Sequence, residues 1–274
     1  MIPPSASPIC TTCGTQFPPS NGVPPASCPI CEDERQYVPS GGQAWTSLDR
    51  LRRTHRNSFH TFEPGLIGIG TTPEFGIGQR ALFLRTLGGN FLWDCIALLD
   101  QATHDIVTAM GGLQGIAISH PHYYTTMVDW SHAFGGVPIY LHEGDREWVV
   151  RPDPVIQFWD GASLALTEEL TLVHCGGHFE GGTVAHWRAG AGGRGALLAG
   201  DIVQVVSDRR SVSFMRSYPN LVPLGAAAIR RIVASLAPYR YDRIYGAWWD
   251  RVIDAGGEQA VEASAARYLA AIGG

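Results

Sequence analysis

Half of the 18 prolines in this 274-residue chain fall between Pro3 and Pro39, in a stretch without apolar periodicity that also holds four of the six cysteines. Such a segment cannot bury enough apolar surface to hold itself together, so it folds only with a cross-link. The cysteines come as two close pairs, Cys10-Thr11-Thr12-Cys13 and Cys28-Pro29-Ile30-Cys31, with 14 residues between them. Each pair puts two thiolates on one tight turn, and two such turns supply the four soft ligands of a closed, structural Zn2+ site. Two disulfides or four unliganded thiols are the alternatives; a chain this long with so few cysteines has no disulfide framework, which favours the metal.

Composition narrows the rest. All 20 basic residues are arginine, which excludes a P-loop lysine, a lysine Schiff base and a lysine general base. A formal net charge of −5 lacks the positive field that binding to phosphate backbones needs, so no nucleic-acid partner is expected. No run approaches the roughly 20 apolar residues of a membrane span, and a cytoplasmic protein is expected.

The chain divides into the cysteine segment 1–40, a connector 41–57 and a large domain 58–274. In the connector, residues 45–56 read as a short helix with Leu48 and Leu51 inward and Arg50, Arg52, Arg53 and Arg56 in water. Short β-prone runs at 66–70, 80–85 and 90–94 form an antiparallel meander. A helix from Asp105 to Met110 is followed by a buried strand over 113–119, and further strands fall at 137–141, 155–159, 164–166, 170–174, 183–187, 196–200 and 243–245. Helices are expected over 224–236 and 259–271, and strands interspersed with helices indicate a layered α/β domain.

Of ten histidines, His120 and His122 stand out because they follow a buried strand at spacing two, which puts both imidazoles on one side of an extended segment. His178 sits in the Gly-rich run His174-Cys175-Gly176-Gly177-His178-Phe179-Glu180-Gly181-Gly182-Thr183, where missing side chains let the backbone approach an ion. Asp201 ends the apolar strand 196–200, and a buried lone carboxylate is satisfied by a cation.

In these motifs, in this order, residues 58 to the C-terminus resemble the metallo-β-lactamase superfamily. The resemblance implies an αββα sandwich with metal ligands in loops along one edge, His120, His122 and His178 at the first metal position and Asp201 at the second. The sequence also departs from the family's His-x-His-x-Asp-His motif: Tyr124 occupies the aspartate position, Thr125 that of the last histidine, and the late histidine is missing from Gly246-Ala247-Trp248-Trp249. One metal is therefore expected at this site.

Three neutral imidazoles and a water form the ligand set that acidifies zinc-bound water. Asp201 either completes the coordination or stands back and orients the water, and Tyr124 either offers a hydroxyl to an oxyanion or packs. The leading expectation is a metal-dependent hydrolase of a small ester, thioester or lactone. Two others stand beside it: a mononuclear iron oxidoreductase using His120, His178 and Asp201, and a catalytically degenerate protein whose cysteine segment meets a protein partner.

Overall fold

A computed structural model describes residues 7–20 and 23–273; residues 1–6, 21 and 22 of the cysteine segment and Gly274 lie outside the described residues. Two β-sheets dominate. The first runs, from one edge, through strands Arg56–Glu63, Leu66–Thr72, Arg80–Thr86, Gly89–Trp93, Gly115–Ala117, Ile139–His142 and Ile156–Trp159. Its first four strands are an antiparallel meander and the rest pair in parallel. The second sheet orders Ser163–Ala165, Leu170–His174, Thr183–Trp187, Ala196–Gly200, Arg243–Gly246 and Val252–Ile253.

The alternation of side chains along these strands dictates the layers. Within Arg80–Thr86, Leu82 and Leu84 face one way and Ala81 and Phe83 the other, and all four are buried. Leu82 and Leu84 join Leu66 and Trp93 against Leu170, Leu172 and Leu198 of the second sheet. Ala81 and Phe83 pack beneath Val107 of helix Gln101–Ala109 and Met127 and Trp130 of helix Met127–Ala133. The second sheet repeats the scheme: Ala196 and Leu198 point between the sheets, while Leu197 and Ala199 point to helices Ala226–Leu236 and Gly257–Ala271. The result is the αββα sandwich. Among the described residues, no helix is long and apolar enough to cross a membrane.

Several local readings shift. The helix placed over 45–56 is only Leu48–Thr54, capped by Ser47 and buried through Leu48 and Leu51, because Trp45–Thr46 is used as a strand paired with Ile9–Cys10. That pairing runs across the division at residue 40. Arg56–Glu63, whose first two residues were read as connector, is an edge strand that pairs with Leu66–Thr72 from Arg56 onward. The helix expected from Asp105 begins at Gln101, because the Asp100 side chain accepts from the Thr103 amide at 2.8 Å.

The strand ends bring the singled-out residues to one edge, where the backbone is tight. Gly200 adopts φ +54°, and a methyl group there would stand 2.7 Å from Ser119 Oγ. Gly200→Ala is expected to cost about 2 kcal/mol or more through left-handed backbone and forced displacement of Ser119. Urea unfolding checks this: an unchanged midpoint would show the edge to be slack.

Candidate metal centre

Four chain segments deliver the site. Strand Gly115–Ala117 leads into Ser119 and His120; strand Leu170–His174 leads into the loop carrying His178; strand Ala196–Gly200 ends at Asp201; strand Gly89–Trp93 ends at Asp94. Ser119 ties them together. Its amide and hydroxyl both donate to Asp94 Oδ1, at 2.8 and 2.7 Å, its carbonyl accepts from the Thr183 amide at 2.9 Å, and its hydroxyl lies 2.9 Å from His120 Nδ1. With His120 Nδ1 engaged there, its Nε2 is left facing Asp201 Oδ1 at 3.1 Å.

His120 and His122 do not share the side of an extended segment. His120 is extended, but Pro121–Tyr123 forms a turn of 3-10 helix, and this turn swings His122 beside His120. The three imidazole centroids of His120, His122 and His178 lie 4.9 to 5.0 Å apart. His178 Nδ1 is fixed by the Met215 carbonyl at 3.1 Å, which turns its Nε2 to within 3.3 Å of His122 Nδ1. One donor atom from each of His120, His122, His178 and Asp201 lies within 4.8 Å of all the others. In the Gly-rich loop that carries His178, Gly181 donates its amide to buried Asp145 at 2.7 Å, and a methyl on Gly181 would reach 2.7 Å from the Asp145 carboxyl carbon.

The electrostatics favour a cation. Burial pushes His120 and His122 well below the ordinary histidine value, and His178 down to about 4, so the three rings are neutral and able to coordinate. Burial raises Asp201 to about 8, with the neighbouring Asp94 adding to it, and raises Asp94 to about 7. His122 Nε2 is buried without a hydrogen-bond partner, and His120 Nε2 and Asp201 Oδ1 are buried with only each other at 3.1 Å. Orphaned nitrogen and oxygen acceptors around one point are costly unless a positive ion satisfies them, and the donor set fits Zn2+ or another divalent transition metal.

The N-terminal cysteines form a second cluster. Cys10 Sγ lies 3.6 Å from Cys31 Sγ and Cys13 Sγ 3.7 Å from Cys28 Sγ, and all four sulfurs are buried as free thiols. A tetrahedral ion with bonds of about 2.3 Å separates its sulfurs by about 3.8 Å, so the cluster matches a metal and not a disulfide.

Other singled-out residues lie elsewhere. The Tyr124 hydroxyl is buried and directed at the Asp145 carbonyl at 3.4 Å, while Tyr123 lies buried against Asp201 and the Tyr218 hydroxyl donates to the Asp201 carbonyl at 2.9 Å. His142 and His174 stack at 3.8 Å, apart from the cluster; His174 Nε2 bonds the Glu180 carbonyl. Sequence reasoning did not single out Asp94 or Phe179. Phe179 was legible only as a motif letter, yet its ring packs within 5.0 to 5.4 Å of all three imidazoles.

The donor cluster lies on a cavity of about 310 Å³ lined by His122, His178, Asp201, Tyr218, Ile77 and Trp248 together with Arg35, Gln36 and Tyr37 of the cysteine segment. A larger, open groove of about 620 Å³ around Pro152, Pro154 and Phe158 touches none of these residues.

Sandwich and donor set together define a metallo-β-lactamase-fold protein with a His/Asp cluster that could hold a metal ion and an N-terminal four-cysteine knuckle. The fold is that of VMB-1 (TM-score 0.60, 11% identity, 79% of this chain and 98% of that one) and of the DIM-1 metallo-β-lactamase (TM-score 0.59, 13% identity, 79% and 98%). SMB-1, solved with mercaptoacetic acid, aligns with TM-score 0.52 and 16% identity over 76% of this chain and 92% of that one. No protein-family model matches the chain. It is 47% identical over 266 residues, 96% of each chain, to the uncharacterized protein YmaE of Bacillus subtilis (strain 168), and belongs to the same family.

The pKa shifts set a pH dependence for metal-depleted protein. Histidines held below their ordinary value are neutral in both the folded and unfolded states above about pH 7.5, and contribute little slope there. Asp94 and Asp201, raised to about 7 and 8, keep the folded state more protonated than the unfolded one in that window, so stability falls as pH rises. Thermal unfolding is expected to give a lower midpoint at about pH 8.5 than at about pH 7.5, with a smaller difference in Asp201→Asn, which cannot ionise. A midpoint that rises across the window would refute the assignment.

Proposed function

We propose that the chain is a metal-dependent hydrolase with one hydrolytic Zn2+, acting on a small ester, thioester or lactone. The observation that carries the reading is the convergence of three neutral imidazoles and one carboxylate on a cavity at the small end of ligand-pocket sizes. His120, His122 and His178 would hold the ion, which would supply a Lewis acid and an acidified water. Asp201, whose proton affinity burial brings near neutrality, either completes the coordination or accepts a proton from the water. Tyr218 fixes the Asp201 backbone, and Ile77 and Trp248 offer an apolar surface to an acyl chain.

A single metal at this centre is supported by the fate of the replaced positions. Tyr124 turns to Asp145, and the Thr125 carbonyl accepts from the Gln16 amide of the cysteine segment at 3.0 Å. Phosphodiester chemistry, which uses two metals about 4 Å apart, is disfavoured. The structural Zn2+ sits in this reading at Cys10, Cys13, Cys28 and Cys31, and the free thiols support a reducing cytoplasm. A protein partner on the N-terminal segment would use its outer face, where Val23 and Val38 are exposed.

Elemental analysis with esterase and thioesterase assays tests the proposal. Two zinc ions per chain are expected, falling to one in His120→Ala and His178→Ala. Turnover should fall on the order of a thousandfold, the several kcal/mol that a Lewis acid contributes. Iron at the histidine site with oxygen consumption would replace hydrolysis by the oxidative reading. Full activity in both variants would remove the site from catalysis.

A further inference from the structure

The cysteine segment reaches the histidine cluster through residues just beyond Cys31. Arg35 is 8% exposed; its guanidinium stacks 4.0 Å from the Phe179 ring and 4.9 Å from Trp148, with Nη1 3.5 Å from the His178 carbonyl. Phe179 in turn packs on all three imidazoles. The charge of Arg35 is already taken up, because Asp33 grips it through both oxygens at 2.5 and 2.9 Å, and the guanidinium beside Asp33 holds that carboxyl below its usual value.

The same segment is stapled to the hairpin behind His178. Glu34 pairs with Arg216 at 2.5 Å, and Asn220 donates to the Glu34 and Gln36 carbonyls, each at 2.9 Å. That hairpin carries the Met215 carbonyl that orients His178 and the Tyr218 ring on the cavity. On its other flank the segment docks where the resemblance places the second metal's ligand: the Gln16 amide meets the Thr125 carbonyl, and Gly14 lies against Thr125 and Ala97. Gln36, 5% exposed, lines the cavity with its Oε1 buried and unpartnered.

We propose that the four-cysteine knuckle is a wall of the catalytic cavity that selects uncharged substrates: Asp33 masks Arg35, the cationic side chain on the lining, while Gln36 and Tyr37 close the side facing His178. The selection half rests on the hydrolase reading; the wall half does not. An anionic substrate entering this cavity finds a guanidinium already paired and the carboxylate of Glu74 on the lining, whereas a neutral acyl group meets Ile77, Tyr218 and Trp248 without stranding a charge.

Two measurements decide it. Hydrogen exchange of the metal-loaded protein is compared with Cys28→Ser and with Arg35→Ala, which keeps all four cysteines and covers the case in which the cysteine variant fails to fold. Faster exchange is expected at 176–182 and 214–220 as well as in the knuckle; a change confined to residues 8–47 would make the knuckle an independent appendage and overturn the wall. The second compares 4-nitrophenyl butyrate with the 4-nitrophenyl monoester of succinate, acyl chains of similar size without and with a carboxylate. Wild type is expected to favour the butyrate, and Asp33→Asn, which keeps an acceptor for the Arg35 amide but no charge, should move the kcat/KM ratio toward the succinate by about tenfold. A wild-type preference for the anion, or an unmoved ratio, overturns the selection. If neither ester is turned over, the hydrolase reading and the selection fall together, and the exchange comparison decides the wall alone.

Discussion

Ser119 is the point where the two sheets are joined. Its carbonyl takes the Thr183 amide from the second sheet, its own amide and hydroxyl go to Asp94 at the end of a strand of the first, and Gly200 must lack a side chain to lie against it. The hydroxyl then meets His120 Nδ1. One residue, through its backbone and its hydroxyl, thus sets the spacing of three strand ends and the direction of one imidazole, so fold and site cannot be varied separately here. Asp94 accepts both bonds from a left-handed backbone, φ +58°; burial raises its proton affinity, and the two Ser119 bonds, with a smaller pull from buried Arg80, whose guanidinium lies 4.7 Å over the Phe62 ring, draw it back down.

The cost of this arrangement is electrostatic. Three imidazoles and two carboxyl groups are taken from water into a space where like groups crowd one another, and the rings respond by staying neutral while the acids hold protons. Such a cluster does not stabilise the sandwich by itself. It becomes favourable when a cation satisfies the orphaned nitrogen and oxygen atoms and lets Asp201 ionise, which couples metal uptake to proton release and to folding.

How much of this was legible follows from the range over which each feature is encoded. Strands with both faces buried, such as 80–86 and 196–200, announce themselves as continuous apolar runs, and the order of the histidine and aspartate motifs along them carries the superfamily resemblance. Arg56–Glu63 was not read as a strand, and its first two residues went to the connector, because an edge strand with one face in water carries arginine and histidine at alternate positions and shows no apolar run. The convergence of His120 and His122 was anticipated for the wrong reason: spacing two suggests an extended strand, while the real device is a 3-10 turn starting at Pro121. Asp94 and Phe179 gave no local signal, since what marks them is a positive φ in one case and contact with three distant rings in the other.

The cysteine segment shows most clearly why composition alone misleads. A Pro-rich stretch with four thiols reads as a separate module that needs a metal because it has no core, and the thiol geometry supports that need. Yet the segment also borrows a core from its host: Ile9 packs with Leu48, Leu51, Ala97 and Leu98, and the cysteine cluster packs against Trp148. Trp148 touches Phe179, and Phe179 touches the histidines, so an ion among the thiols and an ion among the imidazoles would brace opposite sides of one aromatic layer. At Thr125, where the resemblance places a ligand of a second metal, the backbone carbonyl takes the Gln16 amide and the side-chain methyl faces Gly14, so a larger side chain there would crowd the docked segment.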